Sequence, residues 1–448
     1  MVDLVRWASC GAMALTGDAD GPPLAPPVRI EVLDEALVDF GLDAAVVAER
    51  AALLGLRRGG RRSCGGATRL LRAAHGWVAL SLARPDDVAA LPALFETATV
   101  EAPSADAAWP LVERATARWP ATDLVERTTL LGLPCAMVGE GAGPFERRPT
   151  VTPSSSAGSL ASQQPTDHPP VTPSPSGSSL SPRWRAAGAP LVVDLSGLWA
   201  GPLAASLLAR AGADVIKVED RRRPDGARSG VAAFYDLLNA GKRSVALDFQ
   251  EPADRAVLRR LVERADIVIS SARARAIDQL GLDPEVFLAA GSDRVWVAVT
   301  AHGWSSDRVG FGDDAAASAG LVAWSPADGQ PRFAADALAD PACGALAARA
   351  ALDAWHEGGR WFVDASLSGA AGRLVGTGPT VAAVPGSDGW EVAGSPVAQP
   401  AVRSAGGPAA ALGADTDMVL AALGRDRLVA APDASGERRG MASRSGTR

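Results

Sequence analysis

The stretch "VVDLSGLWAGPLAASLLARAGADVIKVED", residues 192–220, predicts a strand, a helix that begins near Pro202 and ends at Gly212, and a second strand. The later segments "KRSVALDF", "DIVIS" and "DRVWVAVT" are also typical of strands, and the helical segment "EPADRAVLRRLVERA" lies among them. Strands that alternate with helices form a mostly parallel sheet covered on both faces. We therefore predict an α/β fold with a Rossmann-like parallel sheet, whose ligands bind beyond the carboxyl ends of the strands.

The glycines of the opening stretch argue against one kind of site. Gly197 and Gly201 are four residues apart, and no G-x-G-x-x-G pattern follows the first strand. That pattern lets the backbone approach a dinucleotide pyrophosphate closely. An NAD-dependent dehydrogenase is therefore disfavoured.

The residues before this region are organised differently. "DAAVVAERAALLGL", "RPDDVAALPALFE" and "ATDLVERTTLLGL" have helical patterns, whereas "GWVALSLA" and "CAMVGE" are typical of short strands. We predict a small α+β domain at 1–148, a Pro/Ser-rich disordered linker at 149–185, the α/β domain at 186–424 and a disordered tail at 425–448. The small domain thus precedes the large one in the chain.

Composition narrows the classes of partner. The net charge of −7 argues against nucleic-acid binding. The four cysteines show no metal-ligand spacing, so we expect no metal, and scattered thiols without a secretory signal indicate the cytoplasm. No run of about 18 apolar residues occurs, so we expect no membrane span. Among the four histidines, His302 after a strand-like run is the candidate for chemistry, and an ordinary loop histidine is the alternative.

The stretch "DALADPACGALAARAALDAW", residues 336–355, poses a choice for Asp340. Asp at an N-cap accepts hydrogen bonds from free helix N–H groups, and Pro341 suits the first helical position. The same carboxylate is a candidate reagent. From these residues alone the cap is favoured, and the neighbouring Asp336 is assigned to the turn.

Several segments in consecutive order carry a family resemblance. "AGP", "GADVIKVE", "KRSVALD", "DDAAASAGL", "DPACG" and "VDASLS" together resemble the family III CoA-transferases, the CaiB/BaiF group, over roughly residues 190–370. The resemblance implies that Asp340, in a D-x-x-x-G element ending at Gly344, attacks an acyl-CoA thioester and forms an aspartyl-CoA thioester. It implies acyl-CoA and a carboxylic acid as substrates, coenzyme A as the group carried, and a homodimer.

The resemblance also implies contacts with coenzyme A in the loops that follow the strands. The corresponding residues in this chain are Trp199, Ala200, Asp220, Arg221, Leu247, Asp248, Phe249, Gln250, Ser271, Ala272, Arg273 and Asp313.

Two alternatives stay open. A 2-methylacyl-CoA racemase-like enzyme shares the fold, but its Gly-His-Asp turn corresponds here to Gly312-Asp313-Asp314, without the histidine. A degenerate, non-catalytic CoA-binding relative is the second alternative. It is suggested by "SSARARA" at 270–276, where the family has an Asn-Phe loop, and by the small-domain-like segment placed before the large domain.

Overall fold

The computed structural model describes residues 2–96, 104–150 and 188–425. Helices and strands are numbered here in chain order. The helices are α1 Val2–Ser9, α2 Glu31–Leu37, α3 Glu49–Leu54, α4 Pro85–Ala89, α5 Leu91–Phe95, α6 Ala105–Thr116, α7 Ala121–Leu131, α8 Ala200–Arg210, α9 Ala232–Asn239, α10 Pro252–Arg264, α11 Ala274–Gln279, α12 Pro284–Ala289, α13 Gly312–Ser318, α14 Ala339–Glu357, α15 Leu367–Leu374 and α16 Thr416–Arg425.

The strands form one large sheet and several small ones. They are β1 Leu24–Ala25, β2 Thr68–Arg72, β3 Trp77–Ser81, β4 Cys135–Met137, β5 Phe145–Pro149, β6 Leu191–Leu195, β7 Asp214–Asp220, β8 Arg243–Leu247, β9 Ile267–Ser270, β10 Arg294–Thr300, β11 Val322–Trp324, β12 Pro331–Phe333, β13 Arg360–Ser366, β14 Val381–Ala382, β15 Val384–Gly386, β16 Gly389–Val392 and β17 Ser395–Pro396.

The large sheet has seven strands in the order β5-β13-β10-β9-β6-β7-β8. Six of these strands run parallel, and only β5 is antiparallel to its neighbour β13. Read from β8, the parallel strands follow the 3-2-1-4-5-6 order of dinucleotide-binding folds. The predicted α/β class with a Rossmann-like sheet is confirmed. The order in which the chain adds strands to the sheet reverses between β6 and β9. Sheets of this kind bind their ligands at that point.

A smaller α+β unit lies in the N-terminal part of the chain. Strands β2, β3 and β4 form an antiparallel sheet, and helices α5, α6 and α7 pack on it. Its core contains Leu94, Trp109 and Leu124, all nearly inaccessible to solvent. The predicted strands "GWVALSLA" and "CAMVGE" correspond to β3 and β4, and the predicted helix "ATDLVERTTLLGL" corresponds to α7.

Residues 1–148, which the sequence predicted as one domain, contribute to two different hydrophobic cores. Trp7 and Leu33 lie in the same hydrophobic core as Leu203 and Leu346, so the first part of the chain packs on the large domain. Strand β5 completes the large sheet, with Phe145 opposite Ala365. Its sequence, "FERRP", is mostly polar because it lies at an edge, and the hydrophobic pattern gave no strand there.

The predicted linker and tail lie outside the described residues, except for their first positions at 149–150 and 425. No helix in the described ranges is long and apolar enough to cross a membrane.

The longest helix, α14, packs closely on α8. Gly344 lies at the contact, where an added Cβ would be 2.7 Å from the carbonyl oxygen of Ala200 and 2.9 Å from Leu203 Cδ2. Real Cβ atoms do not come this near to a backbone oxygen. The glycine of the D-x-x-x-G element therefore sets the distance between the two helices.

Candidate active site at the start of helix α14

Asp340 is the second residue of α14 and is not its N-cap. The cap residue is Leu338, which has helical dihedral angles and makes no side-chain capping bond. Pro341 is accordingly the third helical residue, although the sequence predicted it as the first. The prediction of an N-cap aspartate is wrong because the turn before the helix already adopts the α conformation at Leu338. The Asp340 N–H donates to the carbonyl of Ala337 at 2.9 Å.

The turn that leads into α14 is conformationally strained. Ala335 and Ala337 both have positive φ, 55° and 42°, a region that alanine rarely occupies. Such strain persists only where neighbouring contacts hold it. Here the Ala337 N–H donates to Asp313 Oδ1 at 3.0 Å, and Asp336 between the two alanines is bound by Arg50. The position of Asp340 therefore depends on contacts made by other elements.

Arg50, on α3, is a site residue that the sequence analysis missed. Its Nε and Nη2 donate to the two carboxylate oxygens of Asp336 at 2.8 and 2.6 Å, and Asp336 is fully buried. The guanidinium also lies 5.0 Å from the ring centroid of Trp199. Asp336 was assigned to the turn, but its carboxylate forms a buried ion pair. The signal was an acidic residue in the apolar stretch "RFAADALAD", which requires a cation when buried.

Two carboxylates, Asp313 and Asp340, lie close to one another and face the same cleft. The pKa of Asp340 is raised to about 7, chiefly by burial and in smaller part by the charges of Asp313 and Asp336, against the lowering effect of Arg50. Burial and then Asp336 likewise raise the pKa of Asp313 to about 6. The Gly312 N–H donates to Asp340, and a Cβ at position 312 would overlap the Asp340 carboxylate. Gly312 thus permits the close contact that favours the ionised form.

The cleft has a volume of about 330 Å³, within the range of small-molecule sites. Residues of both the N-terminal part and the large domain line it. They are Arg50, Leu54, Ser63, Gly65, Ala67, Thr68, Ala83, Leu198, Trp199, Gly226, Ala227, Gly230, Val231, Phe234, Phe311, Gly312, Asp313, Ala337 and Asp340. A single chain therefore brings together the lining of the cleft and the Asp340 carboxylate.

The residues predicted to contact coenzyme A follow adjacent strands of the large sheet. Trp199 comes after β6, Asp220 ends β7, Leu247 ends β8, and Ser271 follows β9. Because these strands are parallel neighbours, their carboxyl ends share one edge. The loops after β6 and β9 also touch, since the Gly197 N–H donates to Ser271 Oγ at 3.0 Å.

Only some of these predicted contacts lie in the cleft. Trp199 and Asp313 line it beside Asp340, while the rest of the predicted set lies along the sheet edge outside the cleft lining. Arg221 contacts Asp254 at 3.3 Å, and Arg273 donates to the Asp307 carbonyl at 3.2 Å. The remaining predicted residues of that edge are Ala200, Asp220, Leu247, Asp248, Phe249, Gln250, Ser271 and Ala272.

Asp314 and His302 do not line the cleft. Asp314 accepts from the Phe311 N–H at 2.9 Å and from Ser81 Oγ at 3.0 Å, which places it in a capping arrangement at the start of α13. Burial raises the pKa of Asp314 to about 7 and lowers that of His302 to about 4. No histidine occurs among the described residues that line the cleft.

The sequence predicted no metal site because its four cysteines show no metal-ligand spacing. No group of three or more potential metal-binding side chains occurs in the ranges that the structure describes.

Comparison with known proteins identifies the family. The family model described as CoA-transferase family III matches residues 190–443, which is more than half of the chain. The chain belongs to CoA-transferase family III. The matched region contains the six parallel strands and α14 with Asp340, so the resemblance seen in the sequence is confirmed.

Curated relatives match shorter segments. A succinate–glutarate CoA-transferase of Agrobacterium fabrum is 32% identical over 166 residues, covering 33% of this chain and 42% of that protein. A human alpha-methylacyl-CoA racemase is 38% identical over 114 residues, covering 25% and 28%. The chain thus spans less than half the length of these relatives. A solved CAIB/BAIF family protein of Brucella suis is 26% identical, with a TM-score of 0.41 over 45% of this chain and 63% of that one.

Proposed function

We propose that this family member is an acyl-CoA:carboxylate CoA-transferase that works through an aspartyl-CoA thioester on Asp340. Asp340 occupies the family's D-x-x-x-G position and lines a cleft of small-molecule size. This placement is the observation that carries the proposal. The substrates are an acyl-CoA and a carboxylic acid, and no step requires a metal.

The first half of the proposed reaction transfers coenzyme A to the protein. The Asp340 carboxylate attacks the thioester carbonyl carbon, the C–S bond breaks, and coenzyme A leaves as a thiolate. A mixed anhydride then links Asp340 to the acyl group. The thiolate attacks the Asp340 carbonyl carbon, which releases the donor as a carboxylate and forms the aspartyl-CoA thioester.

The second half reverses these steps with the acceptor acid. Its carboxylate attacks the aspartyl thioester and releases the thiolate, giving a second mixed anhydride. The thiolate attacks the acceptor carbonyl carbon, forms the product acyl-CoA and regenerates the Asp340 carboxylate. Each bond formed is matched by one broken, so no oxidant or other reagent is needed.

The surroundings of Asp340 suit this role. A carboxylate is a weak nucleophile, and partial desolvation strengthens it as long as it remains ionised. Burial raises the pKa of Asp340 to about 7, and the Gly312 N–H and Arg50 favour the charged form. A substantial fraction of the nucleophile is therefore ionised at neutral pH while being partly shielded from bulk water.

We assign the bound coenzyme A to the edge formed by the loops after β6, β7, β8 and β9. This edge includes the switch point between β6 and β9, where ligands of such folds bind. Arg221 and Arg273 lie in these loops and are the candidates for contacts with its phosphates.

Trapping with hydroxylamine tests the proposal. The protein is incubated with a panel of acyl-CoAs and then with hydroxylamine, which converts an aspartyl thioester to a hydroxamate. We expect the hydroxamate at Asp340 by peptide mass spectrometry, and none in Asp340→Asn, a variant of nearly equal side-chain volume. Full CoA transfer by Asp340→Asn would refute the mechanism. Absence of any adduct in the wild-type protein would favour the degenerate, non-catalytic alternative.

The racemase alternative predicts a different observable. Racemisation requires exchange of the α-proton of a 2-methylacyl-CoA, and the cleft presents Asp313 where the racemases have histidine. We therefore expect no deuterium uptake at that carbon in deuterated solvent. Uptake that depends on Asp313 and Asp340 would instead support a racemase-like enzyme.

Localisation and assembly belong to the same proposal. We expect a cytoplasmic homodimer, by resemblance to the family. Light scattering on the full chain tests the dimer, and a monomeric mass would contradict it.

A further inference from the structure

We propose that the cleft above Asp340 binds the acyl group of the thioester and selects uncharged aliphatic acyl groups over dicarboxylic ones. This inference rests on the proposed function, because it takes Asp340 as the group that meets the thioester. It concerns the class of acid that the protein handles, which neither the family nor the reaction type determines.

Exposed apolar side chains line the cleft, and we call these residues its mouth. Leu54, Leu198 and Val231 are 37%, 49% and 44% exposed, and each of them lines the cleft. They come from three separate elements, so the apolar rim is not the face of one helix. Apolar groups gathered at one opening favour an apolar occupant.

One of these residues is held in an uncommon conformation. Leu198 has a φ of 68°, in the left-handed region. Its N–H donates to Asp225 Oδ1 at 2.9 Å, and Asp225 in turn forms an ion pair with Lys217 at 3.0 Å, where both side chains are buried. The conformational cost at Leu198 is therefore offset by a buried network that keeps its apolar side chain at the mouth.

Polar groups in the cleft already have partners. Thr68 Oγ1 bonds Ser81 Oγ at 2.8 Å and lies 3.4 Å from Asp313 Oδ2, and Ser63 also bonds Asp313. Arg50 is the only cation among the described residues that line the cleft. These hydroxyls and this guanidinium are directed at carboxylates of the protein.

The charge balance disfavours a second carboxylate on the substrate. Arg50 interacts with three carboxylates, those of Asp336, Asp313 and Asp340. The distal carboxylate of a dicarboxylic acyl group would add a fourth negative charge in a partly desolvated site. Burial of an unpaired charge is costly, whereas a methyl group at the same place gains from leaving water. The site thus complements an aliphatic chain and opposes a charged one.

A matched pair of probes tests this. In isocaproyl-CoA two methyl groups replace the two terminal carboxylate oxygens of succinyl-CoA, so the acyl groups have nearly the same shape and differ in charge. Both are titrated by calorimetry into Asp340→Asn, which cannot form the covalent adduct. That variant also removes one negative charge, which biases the comparison towards succinyl-CoA. We expect isocaproyl-CoA to bind about tenfold more tightly or better.

Leu54→Arg supplies the missing cation at the mouth. In the Asp340→Asn background it is expected to strengthen the binding of succinyl-CoA and weaken that of isocaproyl-CoA. Leu130→Arg is the matched control, because Leu130 is 87% exposed and does not line the cleft. It should change neither affinity.

The outcomes separate this proposal from the proposed function. Equal or tighter binding of succinyl-CoA overturns the acyl selectivity, even if the wild-type protein forms the adduct. Selective binding of isocaproyl-CoA without any adduct in the wild-type protein supports the selectivity and overturns the mechanism on Asp340. Failure of both probes to bind overturns the acyl selectivity, while the adduct on the wild-type protein decides the mechanism separately.

Discussion

Arg50 and Asp336 form a two-point ion pair between residues that are 286 positions apart in the chain, with N–O distances of 2.8 and 2.6 Å. The pair joins helix α3 of the N-terminal part to the strained turn before α14. Because Asp340 lies four residues after Asp336, this contact couples the folding of the N-terminal part to the geometry of the nucleophile.

Arg50→Gln is expected to lower the free energy of unfolding by about 3–5 kcal/mol, because it leaves the fully buried Asp336 carboxylate without its cation. Denaturant unfolding measures the change. Arg349→Gln is the control: Arg349 pairs with Asp39 and Asp353 at a half-exposed position, so the cost there is about 1 kcal/mol or less.

The double variant Arg50→Met with Asp336→Leu separates charge burial from packing. It removes both charges and keeps apolar volume, so we expect it to recover much of the stability that Arg50→Gln loses. If the double variant is as unstable as Arg50→Gln, the pair stabilises the fold through its specific geometry and not through mutual neutralisation.

Gly344→Ala tests the helix contact beneath the site. The new Cβ would lie 2.7 Å from the Ala200 carbonyl oxygen, so α14 must move away from α8. We expect a loss of stability of about 1–3 kcal/mol, although alanine has the higher helix propensity. In Gly424→Ala, at an open position of α16, the propensity acts alone, and unfolding should be unchanged or slightly more difficult. Equal effects at both positions would contradict the packing role of Gly344.

The sequence predicted the large sheet well because its strands are buried. Runs such as those ending at Leu195 and Ser270 are rich in β-branched residues and need no knowledge of their neighbours. The edge strand β5 was missed because its residues are mostly polar, and its place in the sheet comes from backbone pairing with β13, a strand more than 200 residues away in the chain. The local hydrophobic pattern is therefore sufficient to predict central strands but not edge strands.

The site was predicted in part for a related reason. Asp340 carries a local motif that marks it in the sequence, and in the structure it lines the cleft. Arg50 has no local motif that marks it, and its role exists only once the chain has folded and α3 meets the turn at Asp336. The start of α14 was misplaced by the same tertiary effect, because the contacts at Asp336 and Ala337 hold the preceding turn in shape.

The raised pKa of Asp314 predicts that the stability of the fold depends on pH. This pKa is about 7 in the folded state, against 3.8 for a free aspartate. Between these two pH values the folded protein therefore keeps a proton on Asp314 that the unfolded chain has lost. The stabilisation is complete below about pH 4 and is lost as pH rises through about 7. Asp314→Asn mimics the protonated form and is expected to flatten this decline, by an amount on the order of a few kcal/mol at pH 8.

Thermal or denaturant unfolding at several pH values measures the effect. Glu263→Gln, at an exposed position on α10, is the control and should leave the shape of the profile unchanged. A decline of equal steepness in wild type and Asp314→Asn would show that Asp314 does not hold the proton.

The last prediction concerns the nucleophile itself. Only ionised Asp340 attacks a thioester, and its pKa is about 7, so the rate of adduct formation should rise between about pH 6 and 8 and then level off. Asp313 raises that pKa by its negative charge. Asp313→Asn should therefore shift the rising limb to lower pH, while Arg50→Lys, which keeps the cation but weakens its contact, should shift it upwards or leave it in place.

Rapid-quench mass spectrometry of the CoA adduct gives the rates. Coincident profiles for wild type and Asp313→Asn would show that Asp340 titrates independently of its neighbour, and a shift confined to the maximal rate would assign Asp313 to substrate placement instead.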